Sequence, residues 1–151
     1  MFTLVPSNFF DEATERDALA ATARLEEGVE VRHTEIPEYD AVLVYTVDED
    51  SAVSGPEILR VLRKLNDCPE YNKILCSIVD RTLYIAIAQG KTLLLANSFD
   101  VMDFTTAEYY IFHSIKSQQI NTEMSSICWL SELNAEEEMS LYRYFKAVFK
   151  I

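Results

Sequence analysis

Four carboxylates, Asp80, Asp100, Asp103 and Glu108, fall in the middle of the chain. A nuclease that runs on two metal ions needs several such groups gathered at one point. These four qualify only by type. Asp100 and Asp103 precede a helical stretch, whose first turn favours anions in any case. The two histidines stand apart: His33 alternates with valines in a strand-like run, and His113 lies in a helical stretch rich in aromatics. Neither has a nucleophile or a second ligand near it in sequence, so each reads as a surface or satisfied buried imidazole. Ser54-Gly55 is accounted for by a helix start and lacks the strand-turn context of a nucleophile elbow. Cys68, Cys76 and Cys128 are odd in number and contain no CxxC, which supports neither a zinc site nor a disulfide framework. Cys76 and Cys128 lie in apolar runs and behave there as small hydrophobes. No catalytic constellation and no metal site is expected.

The elements that would position such groups fall into two rhythms. In the first half, Phe2 to Val5 reads as an edge strand stopped by Pro6. Asp11 then caps a helical stretch to about Leu25, and Gly28 ends it. Val29 to Thr34 alternates like a half-exposed strand, and Ala41 to Val47 is apolar enough to be covered on both faces. Ser54-Gly55-Pro56-Glu57 starts a helix in which Ile58, Val61, Leu62 and Leu65 share one side. In the second half, Lys73 to Val79, Thr82 to Ala88 and Thr92 to Phe99 are apolar runs joined by very short links. They predict an antiparallel meander, with hairpins at Asp80-Arg81 and around Gly90. A helix capped by Thr105 with Glu108 follows, then a strand over 124–130. Asn134 with Glu137 opens a last helix running through Met139, Tyr142, Phe145 and Phe149. Glu136, Glu137 and Glu138 make its first turn anionic, which suits the macrodipole.

Strand–strand–strand–helix–strand–helix is the order of a ribonuclease H-like unit, a mixed α/β sheet in which later strands add in parallel through helical crossovers. One more strand is expected after the last helix, yet only Val148 to Ile151 remain. It is therefore missing, incomplete or supplied from elsewhere.

Bulk properties narrow the function classes. The 151 residues suit one domain or two small lobes, and 49% hydrophobic content with 3 Gly and 4 Pro is globular. The 25 acidic and 13 basic side chains give a net charge of −12. Such a surface repels nucleic acid, whose binding rests on basic groups that release counterions, and disfavours anionic membranes. The N-terminus lacks the basic start and apolar stretch of a signal peptide, and no run is long enough to span a bilayer. A cytoplasmic protein without nucleic-acid or membrane partners is expected.

Several blocks resemble a known family. Leu4-Val5-Pro6-Ser7 with Phe9-Phe10-Asp11, and Glu38-Tyr39-Asp40-Ala41-Val42-Leu43-Val44, are similar to its opening blocks. Lys91-Thr92-Leu93-Leu94-Leu95-Ala96-Asn97-Ser98-Phe99 with Thr106-Ala107-Glu108-Tyr109-Tyr110 is similar to its central block. It is a bacterial domain-of-unknown-function family with an actin-like ATPase fold, built from two duplicated ribonuclease H-like subdomains. The resemblance implies that residues 1–70 close a first subdomain and residues 71–151 form most of a second, so the chain is a partial member.

The resemblance also implies where a phosphate would be gripped. In an active actin-like ATPase the turn between the first two strands does this, with an Asp near the metal and glycines that let backbone N–H groups approach the anion. Here that turn is Val79-Asp80-Arg81-Thr82 and has no Gly. Asp80, Arg81 and Thr82 are the residues that ATP with Mg²⁺ would use. A plain hairpin needs polar turn residues as well. The positive signal lies elsewhere. Tyr109, Tyr110, Phe112, Tyr142, Tyr144, Phe145 and Phe149 are too many for one buried stripe, so some must be exposed as a contact surface. Tyr109, Phe112, Tyr142, Tyr144 and Phe145 are the expected interaction residues. The sequence thus points to a non-catalytic interaction module that binds a protein partner or itself as a homodimer, with a nucleotide-binding ATPase as the alternative.

Overall fold

The computed structural model describes residues 1–48 and 55–151. The chain divides into two compact units, Met1–Arg60 and Val61–Ile151. The boundary falls inside the helix α2 (Glu57–Leu65), whose expected Ser54 cap lies outside the described residues.

In the first unit, β1 (Phe2–Pro6), β2 (Val31–Ile36) and β3 (Ala41–Thr46) form an antiparallel sheet in the order β1-β3-β2. The central strand, β3, is buried from Ala41 to Tyr45, as its unbroken apolar run requires. Leu19 of α1 (Glu15–Ala20) packs on Val42 and Val44, joined by Val5, Phe10, Leu25 and Val31. The helix is shorter than its sequence pattern, because Asp11 caps a 3-10 turn by accepting from the Ala13 N–H at 3.0 Å.

The second unit is a five-stranded mixed sheet: β4 (Asn72–Val79), β5 (Thr82–Gln89), β6 (Thr92–Asp100), β7 (Ser126–Trp129) and β8 (Ala147–Lys150), in the order β6-β5-β4-β7-β8. β4, β5 and β6 are the antiparallel meander, while β7 joins β4 and β8 joins β7 in parallel. The two parallel additions are reached through α3 (Phe104–Ser117) and α4 (Ala135–Tyr142). The chain turns from β5 into β6 at Gly90, where φ is +58° and an added Cβ would lie 3.2 Å from the Tyr71 ring. Alternation then sorts the side chains. Ile74, Cys76, Leu83, Ile85, Ile87, Ile127, Trp129 and Val148 lie on one sheet face, under Ala107, Ile111 and Ile115 of α3 and Leu141 and Phe145.

Two expectations are corrected here. The closing strand is present within the chain: β8 pairs with β7 at four positions, from Ser126↔Ala147 to Trp129↔Lys150. Phe149 accordingly sits on this strand and not on the last helix, which ends at Tyr142. The cap of α3 is Asp103, not Thr105: its carboxylate accepts from the Thr106 N–H at 2.7 Å. The cap of α4 is the capping box of Asn134 and Glu137.

The β8 strand is held by burial of Val148, so Val148→Ala should lower unfolding free energy by about 1–2 kcal/mol. Urea denaturation measures it, and a loss below about 0.3 kcal/mol would mean that β8 is not part of the cooperative core.

Candidate functional site

In open α/β sheets, ligands enter the crevice at the carboxyl ends of the strands, where the strand order reverses. In this unit that point is β4, which has β5 on one side and β7 on the other. The strand ends are tied together there. Just past β7 the Ser131 hydroxyl oxygen accepts from the Ile78 N–H and from the Trp129 Nε1–H, both at 2.9 Å. Leu130 N–H donates to the Cys76 carbonyl at 2.9 Å, and Phe104 tilts against the Trp129 ring at 5.7 Å. The Ser131 hydroxyl and the Trp129 indole thus tie the end of β4 to the segment that follows β7.

The neighbouring turn is equally tight. β4 and β5 pair up to Val79↔Thr82, leaving only Asp80 and Arg81 as the link, with φ of +48° and +60°. Two consecutive left-handed residues make the mirror-image turn that fits the twist of a hairpin. They do not make the anion-binding concavity, which requires right- and left-handed residues in alternation. Asp80 and Arg81 are exposed, while Thr82 is the first residue of β5.

The other expected residues are not drawn together. Asp100 ends β6, and Asp103 is held below the usual carboxylate range by the Thr106 N–H and hydroxyl. Among the described residues, no three His, Cys, Asp or Glu side chains are placed to hold a metal ion. His33 pairs with Glu15 at 2.6 Å beside the Phe10 ring, and His113 stacks on Tyr109. All three cysteines are buried and unbridged, and burial raises the Cys76 thiol well above its usual range.

Two features lie between α3 and α4. Ser140 meets Glu108 and, four residues on in each segment, Tyr144 meets Phe112 with ring centroids 4.7 Å apart, so the helices run parallel. Sequence reasoning gave Glu108 to the cap of α3. Instead it points at α4, 8% exposed, at the floor of a cleft of about 320 Å³. Burial pushes its carboxyl up, while the Ser140 hydroxyl and the charge of Arg143 pull it down. Ser140 carried no sequence signal, because it lies 32 residues from its partner. The second feature is aromatic. Tyr109, Tyr142 and Tyr144 are exposed by 64%, 51% and 46%. Phe112 is half-buried, and Phe145, expected at the surface, is buried against Phe112 and the core.

Comparison with known proteins follows the fold. Residues 56–148 match the family described as "Protein of unknown function (DUF3822)", and the chain belongs to that family. A crystal structure from Bacteroides thetaiotaomicron, of a protein with an actin-like ATPase fold and unknown function, matches with a TM-score of 0.79 at 20% identity. The match covers 99% of this chain and 64% of that one, so this chain spans under two thirds of its relative. The actin-like ATPase fold is therefore the fold of this chain. No curated protein matches it in sequence.

Two substitutions test this geometry. Ser131→Ala should cost about 2–3 kcal/mol in urea denaturation, since it strips the acceptor from two donors at once. Replacing Asp80-Arg81 by Asn-Gly, the pair this turn favours, should raise stability by roughly 0.5–1 kcal/mol, and a decrease would mean the native residues serve more than the hairpin.

Proposed function

We propose that this member of the DUF3822 family is a non-catalytic module that acts by association, with a protein partner or with a second copy of itself. The observation that carries the reading is the Ser131–Trp129 tie at the switch point. It is supported by a turn at Asp80-Arg81 that has no Gly and pairs to its last residue. Hydrolysing ATP needs preorganised donors around the phosphates, and here the nearest backbone is committed to the sheet.

The outer sides of α3 and α4 supply the association surface. Tyr109 of α3, Met139 and Tyr142 of α4, and Tyr144 in the turn just after it are exposed. Large, rigid side chains with a polar tip are the residues enriched at protein interfaces. Phe145 drops out of this surface and Phe112 contributes only its free edge. In this reading residues 1–70 close a first ribonuclease H-like subdomain and residues 71–151 form the second, and the protein works in a bacterial cytoplasm. The strand order of the second unit supports the former, and unbridged cysteines suit a reducing compartment. Among the described residues no helix is long and apolar enough to cross a membrane.

Calorimetric titration with ATP and Mg²⁺ should give no saturable heat at millimolar nucleotide, and thermal unfolding should not shift. Saturable binding that Asp80→Ala abolishes would replace this reading with the ATPase. Sedimentation should show a reversible homodimer that Tyr109→Ser with Tyr142→Ser weakens at least tenfold, as loss of central aromatic anchors does. A monomer at hundreds of micromolar would remove self-association from the reading.

A further inference from the structure

The cleft between α3 and α4 contains a carboxylate that no cation touches among the described residues, the charge of Arg143 acting on it only from farther away. The lining of the cleft is Phe104, Thr105 and Glu108 from α3 and Asn134, Ser140 and Arg143 from the α4 segment, with Glu136 and Glu137 at the rim. The α4 first-turn glutamates have local explanations. Glu137 accepts from the Asn134 N–H in the capping box, Glu138 pairs with Lys150 at 3.0 Å, and all three favour the helix N-terminus. Glu108 has no such explanation. It is in the second turn of α3, past the cap, and nine-tenths buried.

Both of its carboxylate oxygens lie near one hydroxyl, at 2.9 and 3.0 Å from Ser140 Oγ. A hydroxyl carries one proton, so one carboxylate oxygen receives no hydrogen bond. No ammonium or guanidinium lies within 4.0 Å of it among the described residues, and Arg143 acts only from farther away. A buried carboxylate with one neutral donor is costly unless a cation or further donors complete it. Glu108 lines a cleft of about 320 Å³, room enough for a side-chain head group.

We propose that this cleft binds an organic cation, an alkylammonium or alkylguanidinium, whose N–H groups complete Glu108 while its alkyl stem lies along Phe104. Thr105 and Ser140 supply further hydroxyl groups at the mouth. The inference deepens the association reading, on which it rests in one respect: a protein partner would present the cation as a Lys or Arg side chain. A free amine is the other source of the same chemistry.

The test is two-dimensional amide NMR of the full chain at pH 7, titrated with butylguanidinium chloride, with sodium butyrate as the matched anion. Saturable shifts confined to Thr105, Glu108, Asn134 and Ser140 are expected, with affinity lowered at least tenfold in Glu108→Gln and restored in part by Glu108→Asp. The butyrate arm should give no such shifts. Glu108→Gln keeps shape and hydrogen-bonding atoms, and its fold is checked by the same spectrum. Ser140→Ala, which frees both oxygens, should bind at least as well as the native chain. Absence of saturable shifts up to tens of millimolar, or equal binding by Glu108→Gln, overturns the proposal. A third arm replaces the salt by an Arg-containing hexapeptide. Binding of the salt but not the peptide leaves the cation site standing with a small amine as its ligand, and counts against a partner docking here.

Discussion

The second unit depends on one short seam, the parallel pairing of β4 with β7. Only Leu75↔Cys128 and Cys76↔Trp129 face each other across it. Yet it joins the β4–β5–β6 meander to everything that follows α3. A parallel pair is slightly weaker per residue than an antiparallel one and cannot be closed by a tight turn. This chain extends the seam by other means. The Leu130 N–H continues the ladder to Cys76, Ser131 ties down Ile78, and the indole of Trp129 fills the space beneath. At the start of β7, Lys146 and Ser126 both donate to the Glu70 carboxylate at 2.9 Å, which lowers its pKa. The crevice at the switch point is thus part of what holds the sheet together.

That explains which parts were legible beforehand. The meander declares itself locally: three apolar runs, two links too short for anything but hairpins, and a Gly where φ must be positive. The capping box of Asn134 and Glu137 is equally local, as is the wholly apolar β3. The seam is not. Ser131 meets Ile78 across 53 residues, and Glu70 meets Lys146 across 76. No periodicity within either segment encodes such a meeting. Strand β8 fails for a different reason. Four residues are too few to show alternation, and Tyr142, Phe145 and Phe149 happen to repeat at helical spacing. The helix stops at Tyr142, and burial of Val148 beside Ile127 places the strand.

Phe145 shows how counting aromatics overstates an exposed surface. A single buried stripe on a helix accommodates few large rings. The segment from α4 onward, however, faces the sheet on one side and α3 on another. Phe145 fills the corner between them, and Phe112 covers it from α3. Surplus aromatics on one of two adjacent parallel helices can therefore be satisfied by the other. Tyr109, Tyr142 and Tyr144 keep much of their surface exposed even so, Tyr142 with its hydroxyl at the Val148 carbonyl and Tyr144 with one side on Phe112.

Glu108 points the opposite way. Natural sequences are locally consistent, and a residue that breaks a local rule without compensation nearby marks a place where something besides stability is at work. Leu or Met at this position would seal α3 to α4 and remove the cost of a carboxylate sharing one hydroxyl proton. Gln would keep the shape without the charge. Neither helix needs this carboxylate as a cap, since α3 is capped by Asp103 and α4 by Asn134 and Glu137; what Glu108 gives the fold is the hydrogen bonding of Ser140 that joins the two segments. The Arg143 charge reduces the penalty without ending it, since burial is the larger influence on the Glu108 carboxyl. Ser131 ties the strand ends of the sheet together, whereas the groove between the crossover helices holds a buried carboxylate that no cation touches among the described residues.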